Sequence, residues 1–318
     1  MKNILKILGI SIISGIIIFI GINLLLPDKY SSYYEKSLVL QHDYYETIKG
    51  NKIVFIGFSP FPFCLDLDLM EKLTNKKCIY ISSAIESGMS VLLEISKINL
   101  KKGDIVVITI QHADGSVYAY TPSVFRGFGK RLDMYKYLKC PASFTVDEKI
   151  KYYKDLSKLY ITYLKERINN KEIKQTGAYS IEAFDSKGKF IADRPKCLIY
   201  PPEIKEGSGF HYVKYDKILW GDKARKFYQN YAKYCKSKKV KLYFSIVPNY
   251  KYSILSSDED IERYERMLKK ELPAPYISKQ KSYIFDEKSI YDCPIHCTNE
   301  GAKLRTQNLY MDLKPYLD

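Results

Sequence analysis

The N-terminal region has a hydrophobic pattern unlike that of the rest of the chain. Lys2 and Lys6 precede a run of 20 residues, 7–26, that carries no charge. A helix of that length crosses about 30 Å of hydrocarbon. A cleavable signal peptide is the alternative, but no small-x-small cleavage site follows the run. We therefore predict one N-terminal transmembrane helix within residues 1–27, and the two lysines predict a cytoplasmic N-terminus with the body exported.

Beyond this run, short apolar segments alternate with segments of helical periodicity. Residues 28–50 are polar and tyrosine-rich, and we expect a stalk and a first helix there. The pattern then predicts strands over 52–58, 77–81 and 104–110, with helices over 64–73 and 85–98. Strand–helix–strand repeats at this spacing are typical of a parallel sheet. The sequence thus predicts an α/β domain over 51–318.

The C-terminal third continues the same pattern after an interruption. Residues 113–220 show little periodicity, apart from a helix at 147–169 and a hairpin or loop at 183–190, and we interpret them as an insertion over the open end of the sheet. The regular pattern then predicts these elements: a helix over 222–237, a strand over 239–247, a helix over 258–272, a short strand near 283–285 and a final helix over 298–317.

Composition limits the classes of partner. The net charge is +15, and the exported part retains about +13. This charge fits either a lysine-rich solvated surface or attraction to an anionic partner, such as lipid headgroups, teichoic acid or acidic polysaccharide. We expect no nucleic acid, because export and the absence of zinc-finger or RNP-like motifs oppose it. Cytosolic metabolites and ATP are excluded by the same location.

The seven cysteines cannot all pair, and we interpret most of them as small core residues. Cys293 and Cys297 flank His296, so a disulfide or a metal site is an alternative there. Two cysteines and one histidine without a second cluster make a weak zinc pattern. We expect no metal and no cofactor.

Ser59 is the first candidate for chemistry. It follows the predicted strand 52–58 directly, and ligands of open parallel sheets bind beyond the carboxyl ends of the strands. A serine there places its hydroxyl in the crevice. The structural alternative is a helix N-cap, because Ser59-Pro60 is also a good start for a helix.

The second candidate is the pair Asp292 and His296, just before the last predicted helix. A carboxylate that accepts Nδ1–H fixes the histidine tautomer and leaves Nε2 free to take a proton from a hydroxyl. The alternatives are a turn or cap role for Asp292 and a structural role for His296.

Taken together, these motifs resemble the SGNH/GDSL hydrolase superfamily, and in particular its membrane-anchored bacterial branch associated with cell-surface polysaccharide or teichoic acid acylation. The resemblance rests on four segments in order: KIVFIGFS at 52–59, KKGDIVVI at 101–108, FDSKG at 184–188 and DCPIHCTNEGAKLRT at 292–306. It implies a three-layer, flavodoxin-like domain. It also implies an early nucleophilic serine and a late Asp–His pair.

The resemblance assigns roles to individual positions. Ser59 matches the nucleophile, His296 the base and Asp292 the acid that orients it. Ser83 and Gln111 fall where the family places oxyanion donors, although a glycine and an asparagine are usual there. These departures keep two functions open.

The first expected function is an extracytoplasmic ester hydrolase or O-acyl transferase that acts on a surface glycan or teichoic-acid-like polymer through an acyl-enzyme. The alternative is a catalytically silent SGNH-like module that binds polysaccharide or a membrane-bound O-acyltransferase and supports surface-polymer assembly. In both cases the expected location is the cell membrane, with a single pass through residues 7–26.

Overall fold

A four-stranded parallel sheet organises the chain. The computed structural model describes residues 2–110, 117–142, 144–169, 171–172, 174–199, 213–215 and 221–317, without the side chains of 2–9, 11, 12, 16 and 223. The strands are β1 (Lys52–Phe58), β2 (Lys77–Ser83), β3 (Ile105–Ile110) and β4 (Lys241–Ile246), in the order β2-β1-β3-β4. The predicted α/β class with a parallel sheet is confirmed, and this strand order fits a flavodoxin-like fold.

A second, smaller sheet pairs β5 (Asn249–Tyr250) with β6 (Ile284–Phe285), also in parallel. The short strand predicted near 283–285 therefore exists, but it lies outside the main sheet.

The α-helices of the described residues are α1 (Lys2–Leu25), α2 (Ser37–Thr47), α3 (Pro60–Cys64), α4 (Leu67–Thr74), α5 (Met89–Ser96), α6 (Ser123–Phe128), α7 (Val146–Asn169), α8 (Asp222–Ser237), α9 (Asp258–Glu271) and α10 (Asn299–Leu313). The helix predicted over 64–73 corresponds to α4, which begins three residues later, because the chain is extended at Leu65 and Asp66, and Asp66 caps α4 by accepting a hydrogen bond from Leu69 N (3.0 Å). The helix predicted over 85–98 begins only at Met89, after Gly88 with φ 81°.

Each face of the sheet has its own hydrophobic core. Along β1, Val54 and Ile56 point to one core, and Ile53 and Phe55 point to the other. Residues of α2, α5, α8 and α9 complete the first core, and residues of α3, α4 and α10 complete the second. A strand that is buried on both sides explains the continuous apolar runs in the sequence.

Residues 28–50, expected to be a stalk, contribute to the packed domain. The side chain of Gln41 on α2 accepts a hydrogen bond from Ser82 N (2.7 Å), and Tyr45 donates one to Ser96 O (2.8 Å). Both side chains are fully buried. The folded unit therefore begins before residue 51, because α2 covers part of the sheet.

A buried ion pair joins two strands at the amino end of the sheet. Lys52 Nζ lies 2.9 Å from Asp104 Oδ2, and both side chains are inaccessible to solvent. The carboxylate also accepts hydrogen bonds from Lys52 N (3.1 Å) and Lys101 N (2.9 Å). Burial lowers the pKa of Lys52, and Asp104 opposes that shift. The sequence segments 52–59 and 101–108 thus meet at this ion pair, and Lys52 and Asp104 have a structural role.

Within the described residues, no helix combines the length and the apolarity that crossing a bilayer demands.

Candidate active site

Ser59 lies in the tight turn between β1 and α3. Its backbone is already helical (φ −45°, ψ −29°), and its carbonyl accepts a hydrogen bond from Phe63 N (3.1 Å). Ser59 stands at the N-cap position of α3, with Pro60 in the first turn, as the structural alternative expected. Its side chain makes no capping hydrogen bond to the helix, and the hydroxyl faces His296 instead. Gly57 permits the chain to fold back this closely, since a Cβ there would lie 2.8 Å from Phe61 Cδ2.

A short loop places Asp292 beside His296. The loop is closed by a bridge between Ile290 and Cys297, and by a hydrogen bond from Tyr291 N to His296 O (2.9 Å). Inside it, His296 N donates to Cys293 O (3.1 Å). This turn brings two side chains four residues apart to the same side of the loop.

The start of α10 fixes the loop in place. Thr298 caps the helix by accepting a hydrogen bond from Gly301 N (3.1 Å), and its hydroxyl donates to Lys288 O (2.7 Å). A Cβ on Gly301 would lie only 1.9 Å from Ser289 O, so only glycine fits at this contact. Farther along α10, Arg305 packs over the Phe61 ring (4.8 Å). The T-N-E-G and L-R-T parts of the sequence motif therefore hold the histidine loop against α3.

The three candidate catalytic side chains form one hydrogen-bonded line. His296 Nε2 lies 2.9 Å from Ser59 Oγ, and His296 Nδ1 lies 3.0 Å from Asp292 Oδ1. With Nδ1–H donating to the carboxylate, Nε2 is free to accept the serine hydroxyl proton. The three residues are separated by 237 and 4 positions in sequence, and the structure brings them together as the sequence predicted.

An aromatic ring supports the histidine from the side. Phe63 stacks on His296 with ring centroids 4.0 Å apart and planes within 10°. Arg194 lies over Phe63 and Phe190, and its Nε donates to Cys297 O (2.9 Å). Stacking on one face and a tethered loop on the other restrict the rotation of the imidazole.

Tyr179 contacts the far end of the triad. Its hydroxyl lies 3.0 Å from His296 Nδ1 and interacts with Asp292. Burial, followed by the charge of Asp292, raises the pKa of Tyr179 above its ordinary value. The phenol therefore keeps its proton and serves as a donor toward the carboxylate, a positioning contact that steadies the Asp292–His296 pair.

The protonation of His296 reflects two opposing effects. Burial lowers its pKa, but Cys293 and Asp292 together outweigh burial and raise the pKa to about 9. An imidazolium cannot accept a proton. His296 is therefore mostly protonated at neutral pH, and its Nε2 becomes free to accept a proton as the pH rises.

We expect the rate of Ser59 acylation to rise about tenfold per pH unit from pH 7 and to level off near pH 9. The measurement is the initial rate of reaction with a fluorophosphonate at a series of pH values. In Cys293→Ala the midpoint should move to lower pH, because one of the two groups that raise the pKa is gone. A flat profile between pH 6 and pH 9 would contradict a His296 base whose pKa is raised to about 9.

Of the two residues predicted to donate to the oxyanion, the structure describes Ser83 only. Ser83 ends β2 and pairs with Phe58, so it lies at the same edge of the sheet as Ser59. Its hydroxyl is within hydrogen-bonding distance of Ser87 Oγ (3.0 Å). Gln111 lies outside the described residues.

The structure also shows whether the cysteines are paired and which of them lie near possible metal ligands. All seven cysteines are free thiols, and Cys64, Cys78, Cys235 and Cys297 are buried. Ligand atoms of Asp292, Cys293 and His296 lie within 4.8 Å of one another, a spacing that could hold a metal ion. The same three positions also suit proton transfer. In this structure His296 Nδ1 faces Asp292 and His296 Nε2 faces Ser59.

Sequence reasoning did not find Tyr179, Phe63 and Arg194. Phe63 could have been predicted from the sequence, because it lies four residues after the candidate serine. Tyr179 and Arg194 come from the aperiodic stretch, where the sequence carries no signal that points them toward the triad.

Comparison with known proteins adds no relative: no family model matches the chain, and no curated protein matches it.

Proposed function

We propose that this chain is a serine-dependent acyl-transfer enzyme, and specifically an SGNH-type ester hydrolase or O-acyl transferase. The hydrogen-bonded line from Ser59 through His296 to Asp292 is the observation that carries the proposal. Nucleophile, base and orienting acid at these distances are the arrangement that activates a hydroxyl for attack on an acyl carbonyl.

The reaction proceeds in two halves. Ser59 Oγ attacks the acyl carbon while His296 Nε2 takes its proton, and Asp292 stabilises the imidazolium. The tetrahedral intermediate collapses when His296 returns the proton to the leaving alcohol, which leaves an acyl-serine. Water, or a glycan hydroxyl, then attacks the acyl-serine with His296 again as the base, so that Ser59 regains its proton. Backbone N–H groups near Ser59 and Ser83 would receive the oxyanion.

The proposal includes location and partners. The uncharged run over 7–26 supports an uncleaved anchor with the N-terminus in the cytoplasm and the α/β domain outside. The net charge of +15 favours an anionic acceptor, such as a teichoic-acid-like polymer or a cell-surface polysaccharide. A membrane-bound O-acyltransferase is the partner that would supply or receive the acyl group.

One observation favours the second candidate, a catalytically silent module that binds polysaccharide or a membrane acyltransferase. Ser83 occupies the position where the related hydrolases have a glycine donor, and its hydroxyl faces Ser87. Ser83 keeps its backbone N–H, but a side chain at this position changes how closely the N–H approaches the oxyanion. A donor that does not reach the oxyanion lowers the rate by about 10²–10³-fold. A triad with weak oxyanion stabilisation would bind an acyl ester and turn it over slowly.

The turnover of 4-nitrophenyl acetate by the full chain in detergent micelles separates the two candidates. We expect hydrolysis by the wild type, and at least a ~10³-fold lower kcat/KM for Ser59→Ala. Ser237→Ala, at an exposed serine at the end of α8, is the matched control and should retain full activity. Equal turnover by Ser59→Ala and the wild type would contradict the enzyme. A folded wild type without turnover would favour the silent module.

A further inference from the structure

Helix α7 exposes a row of apolar side chains on one face. Val146, Ile150, Tyr153, Ile161 and Ile168 are each at least 51% exposed. At 3.6 residues per turn they fall within an arc of about 80°. The row is about 33 Å long. Single exposed apolar residues are normal on a surface, but an aligned row of this length indicates a contact.

Lysines border this row. Lys151, Lys154, Lys158 and Lys165 are exposed and lie together along one side of the apolar arc, where the exposed carboxylate of Asp147 also lies and Asp155 Oδ1 is 3.6 Å from Lys158 Nζ. The lysines outnumber the carboxylates on this side of the helix. An apolar stripe with lysines beside it is typical of helices that lie in the plane of a membrane interface, where the ammonium groups reach the anionic headgroups.

The end of α7 is fixed to the end of α1. Arg167 Nη2 donates to Asn23 O (3.2 Å) and to Leu26 O, and Arg167 Nε donates to Pro27 O (3.1 Å). Lys29 Nζ donates to Ile168 O (3.1 Å). Arg167 thus satisfies carbonyls at and just beyond the end of α1, and Lys29 satisfies one at the end of α7.

Aromatic side chains pack at the contact between α1 and α7. Phe19 packs against Tyr135 and Tyr160, with ring centroids 5.5 Å and 5.3 Å away. Asn23, buried beside them, bonds to both tyrosine hydroxyls. Tyrosines and cations at the end of an apolar helix are typical of the membrane–water boundary.

The depth of α1 follows from these contacts. Phe19 and Asn23 belong to the uncharged run 7–26, and yet they already lie against the domain. If all 20 residues of this run enter hydrocarbon about 30 Å thick, the adjoining part of the domain must reach the membrane surface. Ile17 and Leu24 on α1 are also exposed apolar residues.

We propose that the exposed face of α7 lies in the headgroup region of the membrane that α1 enters, on a lipid surface with anionic headgroups. The apolar row inserts to the acyl boundary, and the four lysines contact lipid phosphates. The domain is thus held down at two places, α1 and α7. This inference rests on the proposed membrane anchor and is independent of the proposed chemistry at Ser59.

The test uses the full chain in vesicles of phosphatidylcholine and phosphatidylglycerol whose acyl chains are brominated at carbons 6 and 7. Trp220 is the only tryptophan, so Trp220→Phe provides the background. Ile150→Trp and Ile161→Trp place the probe in the row. Met311→Trp is the matched control, because Met311 is an equally exposed apolar residue on α10.

We expect brominated lipid to lower the emission of both α7 probes about twofold and to leave the Met311→Trp emission nearly unchanged, with aqueous acrylamide giving the opposite order. Vesicle-bound protein whose α7 probes behave like the control would overturn the inference and leave the anchor standing. Probes shielded from both quenchers would also overturn it, because a protein would then cover the row. Failure of the chain to float with vesicles would overturn the inference and the anchor together, whereas ester turnover would be unaffected.

Discussion

Replacing His296 with alanine is expected to slow the acylation of Ser59 by roughly 10⁴–10⁶-fold. The reason is geometric: Nε2, 2.9 Å from Ser59 Oγ, is the group placed to take the hydroxyl proton. Without it, a serine hydroxyl is a weak nucleophile at any pH at which the protein is folded. Asp292→Asn should lower the rate by about 10⁴-fold, because the amide can present N–H where the imidazole needs an acceptor.

The measurement is the rate of fluorophosphonate reaction at pH 9, followed by intact mass. The chain supplies a matched control in a second Asp–His pair. His42 Nδ1 lies 2.9 Å from Asp43 Oδ1, but its Nε2 faces the hydroxyl of Tyr137 (2.9 Å). His42→Asn should therefore leave the rate within a few-fold of the wild type. A similar loss in His42→Asn and His296→Ala would show that folding, and not proton transfer, limits the reaction.

Replacing Asp104 with alanine is expected to lower the free energy of unfolding by about 3–5 kcal/mol. The substitution leaves the Lys52 ammonium fully buried without its counter-charge, and removes the acceptor for two backbone N–H groups. Because the pair joins β1 to the start of β3, the loss also affects the strand that carries Ser59.

Thermal unfolding measures this effect, with an expected fall in Tm of roughly 10 °C. Lys269→Ala is the control. It removes the exposed ion pair with Glu265 (2.5 Å), a pair worth about 0–1 kcal/mol. The double variant Lys52→Met, Asp104→Leu should recover much of the loss, since no charge then remains buried. A Tm for Asp104→Ala equal to that of Lys269→Ala would contradict the structural role.

The sequence predicted the sheet well, because strands buried on both faces appear as uninterrupted apolar runs such as 52–58. The start of α4 was predicted three residues early, since apolar spacing continues through Asp66 and the capping hydrogen bond is visible only in three dimensions. The role of residues 28–50 was also missed. Their polar side chains suggested a stalk, but Gln41 is buried because it satisfies a strand N–H.

The hydrogen-bonded line of Ser59, His296 and Asp292 was predictable because its parts occupy positions with a physical meaning. Ser59 lies at the carboxyl end of a strand, and Asp292 and His296 lie in one short loop. Tyr179 was not predictable. It lies 117 positions from His296 in sequence and belongs to a stretch with no periodic pattern. The raised pKa of His296 likewise depends on how the loop turns Cys293 and Asp292 toward the ring, since burial alone would lower it.

The most direct test of the central claim is the site of covalent modification. The folded full chain is treated with a fluorophosphonate at pH 9, digested, and mapped by tandem mass spectrometry. The proposed chemistry predicts a single adduct on Ser59 that is absent from His296→Ala. An unmodified Ser59 in a folded chain, or an adduct at another residue that persists in Ser59→Ala, would contradict it.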